Sequence, residues 1–388
     1  MGKYLKTMSK TTKTILWIIV AIIVIGLVWY AVSKKSETVT KEEETIKIGA
    51  VLPLSGNLAS LGEATKSGLM AAQEKINNTN SGWRVEIIFE DSQSNAQVAV
   101  TAVQKLINID KVNALAVYGS QFAYATAPIA QENKIVQLSY LMDSQLAKNY
   151  NYSVVFFPTY ETEVSLMADY ILKNDIDKIG ILHSNIQAHQ NASDFLVSEL
   201  KKQNYTDQNF HIEVFSPGQV DIKTQLIKLK GYNPKIIAIF STPAEVVSIV
   251  KQIKELGLDT TLLFNSAPSV IAEMDQSKMS VFEGSLFVLF NTTVSQSVDQ
   301  MALINDLKSK GEVVTAPETV VAYDSLCFLT EAFKKAKNQA DVINQLRGAS
   351  GIGLSGKITI TNDGVAHFEE MKLGIVKNGK IELYEDKN

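Results

Sequence analysis

Apolar residues along this chain fall into two alternating patterns. Short runs rich in β-branched residues stand at 46–52, 85–89, 114–117, 135–138 and 154–157, and again at 178–182, 211–215, 236–240 and 261–264. Such runs read as strands buried on both faces. Between them apolar positions recur at helical spacing, from Glu63 to Ile76 and over 96–109, 123–132, 163–173, 192–202, 225–230 and 244–256. Strands alternating with helices of about ten to fifteen residues imply an α/β fold of parallel, doubly wound sheets with helices on both faces. The end of the chain differs. Residues 319–336 and 340–346 read as helices, and the short strands after them are separated by Asn362-Asp363-Gly364 and Asn378-Gly379 turns.

The first strand stops at Pro53, the turn Leu54-Ser55-Gly56-Asn57 follows, and a helix begins by Glu63. Open α/β sheets bind ligands where loops leave the carboxyl ends of their strands, so 55–61 is the first candidate ligand loop. The others are 119–126, 139–144, Tyr160, 185–189, Ser241-Thr242 and 265–268, all rich in hydroxyl, amide and aromatic side chains. A cleft so lined orients a small polar solute by hydrogen bonds and stacks its apolar part. Taken one at a time, Phe122, Tyr124, Tyr140 and Tyr160 fit core packing equally well.

Composition sharpens this picture by exclusion. A chain of 388 residues, 46% hydrophobic and 20% charged, is too long for one ordinary core and implies two domains. A net charge of −4, with no basic cluster interleaved with aromatics, excludes nucleic acid as a partner. Cys327 is the one cysteine, so no internal disulfide and no thiolate zinc cluster can form, and its apolar helical setting makes it an inert core thiol. His183, His189, His211 and His367 show no HExxH spacing, and no metal or other cofactor is expected. GxSxG and GxxxxGK[ST] are absent. Gly351-Ile352-Gly353-Leu354-Ser355-Gly356 matches GxGxxG in letters. The dinucleotide fingerprint needs a strand before it and a helix after it, and here the order is reversed, so a glycine-rich connector is expected.

The amino terminus adds a membrane partner. Residues 15–32 are uncharged and apolar and would span about 27 Å as a helix, close to a bilayer's hydrocarbon thickness. Trp17 lies at one end and Trp29 and Tyr30 at the other, with Lys3, Lys6, Lys10 and Lys13 before the run. These features predict a transmembrane anchor with a cytoplasmic amino terminus over 1–14. The rival reading is a cleaved signal peptide, for which Ala31-Val32-Ser33 is a small-x-small site. The length of the run and its bulky aromatics favour the uncleaved anchor. Residues 33–45 are polar and charged, a flexible tether reaching about 20 Å on average as a coil.

From Ile46 to about Tyr384 the chain resembles the periplasmic leucine/isoleucine/valine-binding protein family, the type 1 solute-binding proteins of ABC transporters. The resemblance is carried by IKIGAVLPLSG at 46–56, WRVEIIFEDSQSN at 83–95, APIAQENKI at 127–135, VAYDSL at 321–326 and LSGKITITNDG at 354–364. It implies a type 1 periplasmic-binding-protein fold of two lobes crossed three times by the chain, near Thr159, Phe290 and Met371. Lobe one would hold 46–159 and 290–370, and lobe two 160–289 and 371–388. Pattern alone draws a single boundary, around 143–153.

The resemblance also implies a site. In the family, small and hydroxyl residues after the third and fourth strands hold the ligand carboxylate, and an acid in a second-lobe loop takes the ammonium. Transferred to this sequence, the ligand-binding positions are Ser55, Ser120, Phe122, Ala123, Tyr124, Tyr140, Met142, Tyr160, His189, Thr242 and Ser266. The match is imperfect: Phe122-Ala123-Tyr124-Ala125 stands where paired serines are usual, Tyr140-Leu141-Met142 where Ala and Thr are usual, and Asn265-Ser266-Ala267-Pro268 lacks its acid. Ser120, Thr126 and Ser139 are substitute donors for a carboxylate, and Asp143 or Glu161 substitute acceptors for an ammonium. Donors without the usual acid predict a neutral or anionic solute over a zwitterionic amino acid. The expected function is capture of a small organic solute (amino acid, amide or related compound) outside the cytoplasm, for an ABC transporter permease. A sensory receptor using the same cleft is the alternative, and an enzyme is disfavoured because no nucleophile, base and orienter share a recognisable spacing.

Overall fold

The computed structural model describes residues 10–34, 44–79, 82–290, 297–368 and 371–385. The chain forms two compact units, Met1–Glu44 and Thr45–Asn388.

In the first unit, Lys10–Lys34 (α1) is helical, and its described side chains over 17–30 are exposed. Among the described residues no helix is long and apolar enough to cross a membrane. The expected transmembrane helix over 15–32 is therefore not supported by the fold. The side chains of Leu16, Ala31 and Val32 lie outside the described residues, and the fourteen from 17 to 30 extend only about 21 Å, short of a bilayer core of about 30 Å. The expected cytoplasmic start and tether fall largely on residues 1–9 and 35–43, also outside the described residues.

The second unit is built on two large sheets. Glu44–Leu52 (β1), Trp83–Asp91 (β2), Ala114–Tyr118 (β3), Val136–Tyr140 (β4) and Ser153–Val155 (β5) form the first, in the order β2-β1-β3-β4-β5. The register of β1 on β3 is parallel (Ile48 opposite Ala114), as are those of β3 on β4 and β4 on β5. Its helices are Ala59–Asn77 (α2), Ala96–Asn108 (α3), Ser120–Glu132 (α4) and Gln145–Asn149 (α5). Tyr160–Lys173 (α6) then leads into the second sheet through Ile179–Ser184 (β6), Gln187–Lys201 (α7), Phe210–Phe215 (β7), Lys223–Tyr232 (α8), Ile236–Phe240 (β8), Pro243–Glu255 (α9), Thr261–Phe264 (β9), Ala267–Met274 (α10) and Leu286–Leu289 (β10). Val298–Ser309 (α11), Ala316–Lys335 (α12) and Val342–Leu346 (α13) follow. Ser350–Gly353 (β11), Gly356–Ile360 (β12) and Ala366–Phe368 (β13) then make a small antiparallel sheet. Lys372–Lys377 (β14) and Lys380–Leu383 (β15) return to the second sheet, whose order is β15-β14-β10-β9-β8-β6-β7, parallel from β10 to β7 and antiparallel at β14 and β15.

Every residue of β4, β6 and β8 is buried, as strands covered by helices on both faces must be; β8 is apolar throughout, whereas β4 and β6 also bury Gln137, Ser139, His183 and Ser184. One apolar cluster runs from Ile48, Leu69 and Leu138 through Phe156 and Ile181 to Leu329 and Ile358. Val51, Leu106, Leu115 and Phe122 fill the other side of the first sheet, and Leu182, Phe215, Ile239 and Phe264 the other side of the second. α2 and α12 touch most closely where a Cβ on Gly68 would stand 2.0 Å from the Thr319 carbonyl oxygen.

The GxGxxG letters resolve into the hairpin β11–β12. Its Leu354 and Ser355 amides donate to the Asp324 carboxylate at 2.7 and 2.8 Å, so a side chain already fills the place a phosphate would need. Cys327 is half-buried on α12, and burial pushes its thiol up to about 12.

Candidate functional site

A cavity of about 340 Å³ opens where carboxyl ends of strands from both sheets meet helix starts. Asp143 and Gln145 reach it from the segment after β4, Tyr160 and Glu161 from the first turn of α6, and Ala188, Asn191, Asp194 and Phe195 from α7. The walls are tied together locally. The Tyr160 amide donates to the Met142 carbonyl at 2.8 Å, and the Ser144 hydroxyl donates to Glu161 Oε1. Tyr124 Oη donates to Asp143 Oδ2 at 2.8 Å, while the Gln145 amide takes Asp143 Oδ1 at 2.9 Å. Glu161 Oε2 is buried with no partner among the described residues.

Behind Tyr160 the His189 ring packs edge-on at 6.0 Å between centroids. Its Nδ1 lies 2.6 Å from Ser184 Oγ, and burial lowers its pKa to about 4, so the imidazole is neutral at pH 7. On the second-sheet side, Glu163 is wholly buried, and burial pushes its carboxyl up to about 7 against the opposing pull of Ser266. Its Oε2 lies 3.5 Å from the Ser266 amide, and its Oε1 has no partner among the described residues. Asn265 Nδ2 donates to the Ser241 carbonyl at 3.0 Å, while Asn265 Oδ1 and Ser241 Oγ are buried with no partner among the described residues.

The residues named from the sequence separate into groups. Tyr160 lines the cavity, Met142 and His189 brace it, Tyr124 holds one of its acids, and Ser266 adjoins Glu163. Phe122 and Ala123 are buried in the core beneath α4, and Tyr140 is buried with its hydroxyl 2.8 Å from Ser325 Oγ, facing α12. Ser55 is exposed and bonds Asp91 Oδ2 at 2.6 Å. Ser120 is exposed at the start of α4, and Thr242 caps α9 in a capping box with Glu245. Two substitute donors are committed internally: Thr126 Oγ1 donates to Gln137 Oε1 at 2.9 Å, and Ser139 Oγ accepts from Gln137 Nε2 at 3.0 Å.

Sequence reasoning named Asp143 and Glu161 only as substitutes, and it missed Gln145, Asn191, Asp194, Phe195 and Glu163. Glu163, Asp194 and Phe195 fall inside the helices read at 163–173 and 192–202, but both helices start earlier than apolar periodicity indicates, so their cleft-facing ends are not marked. α6 begins at Tyr160 rather than 163, and α7 at Gln187 rather than 192. First turns that face a cleft carry polar residues and so give no periodic signal. Among the described residues no group of three or more His, Cys, Asp or Glu side chains is placed to hold a metal ion.

Parallel sheets whose strand ends converge on a cavity lined by acids and amides have the architecture of a solute-binding protein. The chain belongs to the periplasmic binding protein family, whose profile matches residues 45–380, and within it to the type 1, leucine/isoleucine/valine-binding branch. It is 22% identical to the leucine-, isoleucine-, valine-, threonine- and alanine-binding protein of Pseudomonas aeruginosa over 306 residues, 76% of this chain and 79% of that protein. A leucine/isoleucine/valine-binding protein homologue of Brucella melitensis is 22% identical over 223 residues, 56% of this chain and only 60% of that protein's length. Among solved structures, a solute-binding protein of an ABC transporter from Rhodopseudomonas palustris, in complex with 4-hydroxybenzoate, superposes with a TM-score of 0.75 at 20% identity, over 89% of this chain and 98% of that one. The branched-chain amino-acid substrate-binding protein LivJ of Streptococcus pneumoniae, in complex with isoleucine, gives 0.70 at 23%, over 87% and 98%. The family is one of extracytoplasmic solute-binding proteins rather than enzymes.

Proposed function

We propose that this protein captures a small organic solute, an amino acid, amide or related compound, and presents it to an ABC transporter permease. The observation that carries this reading is the 340 Å³ cavity at convergent strand ends, with a buried carboxylate oxygen of Glu161 left unpartnered in its wall. Relatives described as binding branched-chain amino acids or an aromatic acid support the ligand's size class. Tyr160, Ala188, Ala192 and Phe195 form the apolar wall, and Asp143, Gln145, Glu161, Asn191 and Asp194 the polar one. Two lobes enclose the solute, 46–159 with 290–370 and 160–289 with 371–388, a division supported by the membership of β10, β14 and β15 in the second sheet. The run at 15–32 anchors the protein to its membrane with the amino terminus cytoplasmic, and this rests on sequence alone. Screening the purified protein against a solute library by thermal shift tests capture, because a ligand that binds only the folded state raises Tm. A library that leaves Tm unchanged throughout would refute it.

A further inference from the structure

The outer strand of the second sheet leaves two large apolar side chains half-exposed. β7 pairs only with β6 among the described strands, and reads Phe210-His211-Ile212-Glu213-Val214-Phe215. An edge strand is a template for another strand unless charge, proline, a bulge or a covering element blunts it. The other outer strands of the two large sheets are blunted. β2 carries Arg84, Glu86, Glu90 and Asp91, β15 carries Lys380 and Glu382 among four residues, and β5 is three residues long, wholly buried and bridged to Val365. β7 has neither lysine nor proline, and Ile212 and Val214 are 42% and 43% exposed. Its one acid, Glu213, is buried and already held by Lys228 Nζ at 3.1 Å and His211 Nε2 at 3.0 Å. The backbone directions of β7 are fixed as well. The Phe215 carbonyl accepts from the Asn185 amide on the β6 side, and the Val214 carbonyl accepts from Gln225 Nε2 on the other. In a parallel pair the amide and carbonyl of one residue point the same way and successive residues alternate, so Phe210, Ile212 and Val214 turn theirs outward.

We infer that two copies of this chain associate through β7, antiparallel, about a two-fold axis at Ile212, so that their second sheets run on into one. The register follows from the strand itself. An axis at His211 or Glu213 would set two imidazoles or two carboxylates face to face, and like charges directly opposite are destabilising. With the axis at Ile212, that residue and its copy exchange both outward backbone bonds. On one face Phe210 then lies opposite the partner's Val214, and on the other His211 lies opposite the partner's Glu213. Apolar meets apolar and imidazole meets carboxylate, twice each, so the strand is complementary to its own reverse. The Gln225 bond to the Val214 carbonyl is exposed and gives way to the partner's Phe210 amide. A foreign strand would use the same outward groups without needing this match. None of the residues lining the cavity belongs to β7 or α8, so the association leaves the cavity free and does not rest on the capture reading.

The test uses the full-length protein in detergent. Its mass by analytical ultracentrifugation, with the detergent density-matched, is expected to rise from monomer to dimer with concentration. Ile212→Lys should raise the dimer Kd about tenfold or more, because a two-fold interface contains each substitution twice and sets the two ammonium groups opposite each other. Cysteine crosslinking reads the register. Ile212→Cys should form an intermolecular disulfide under mild oxidation, its Cα atoms standing about 5.5 Å apart across the axis. Val214→Cys should not, since its two copies are offset by about four residues, or about 14 Å. The wild type, with only the half-buried Cys327, gives the background. Each variant is first checked for the wild-type melting transition, and if Ile212→Lys does not fold, the two cysteine variants decide alone. A wild type that stays monomeric at every concentration, a dimer unchanged by Ile212→Lys, or crosslinking as efficient at 214 as at 212 overturns the inference. Solute capture, read by thermal shift, is left standing by each of these outcomes.

Discussion

Glu163 and His189 show how much a residue's meaning depends on burial that its position in the sequence does not reveal. An acid in the first turn of a helix is ordinarily a solvated partner of the helix dipole. Here α6 turns that position inward, and burial raises the carboxyl from 4.5 to about 7. The same burial lowers His189 from 6.5 to about 4. The two act on stability with opposite signs. Glu163 has a raised folded pKa, so its contribution is full below pH 4.5 and is lost as pH rises through 7. His189 has a depressed folded pKa, so its contribution is present above pH 6.5 and is lost as pH falls toward 4. Denaturant unfolding of the wild type and Glu163→Gln across pH 4.5–7 isolates the first. The variant's stability relative to wild type should rise with pH, by at most about 1.4 kcal/mol per unit. A difference that stays flat across that window would mean the carboxyl titrates normally. His189→Gln should shift the balance the other way, gaining relative to wild type as pH falls.

At the scale of elements, strand interiors were legible and helix starts were not. The runs at 114–117, 236–240 and 261–264 fall within β3, β8 and β9 because burial on both faces forces continuous apolarity. α10 starts inside the candidate loop 265–268, with Pro268 in its first turn, where proline is well tolerated. The aromatic content of the candidate loops could not separate Tyr160, which lines the cavity, from Phe122 and Tyr140, which pack in cores, since side-chain direction depends on where a strand ends and a helix begins. The glycine-rich hairpin gives an element-scale prediction. Asp324 is buried and accepts the Leu354 and Ser355 amides, so Asp324→Ala leaves two inward amides without their acceptor. The expected cost is about 1–3 kcal/mol for each buried group left unsatisfied. Urea unfolding measures it, and a loss below half a kilocalorie would show that the hairpin re-forms its bonds elsewhere. Gly68→Ala should also destabilise, because its Cβ would meet the Thr319 backbone at 2.0 Å rather than a side chain able to move.

For the whole molecule, the order of strands and the return of β14 and β15 to the second sheet accord with the family, which is one of extracytoplasmic binding proteins, while the proposal that the chain is attached to a membrane rests on the sequence run at 15–32 alone. That run is uncharged, ends in Trp29 and Tyr30 before the polar stretch at 33–45, and is longer than the hydrophobic region of a typical signal peptide, about 7–15 residues. On that proposal, eighteen such residues reach about 27 Å, close to a bilayer's hydrocarbon thickness, and Ile22, Ile25 and Trp29, exposed on the helix, would face lipid. The full-length chain should therefore sediment with membranes and resist alkaline extraction. A chain beginning at Thr45, the compact second unit, should remain in the supernatant and retain the thermal shift of the intact protein. Amino-terminal sequencing of the membrane fraction separates the two readings of the run. Sequence beginning at Met1 or Gly2 is expected of an uncleaved anchor, and sequence beginning at Lys34, after Ala31-Val32-Ser33, would show a cleaved signal peptide and a freely diffusing binding protein.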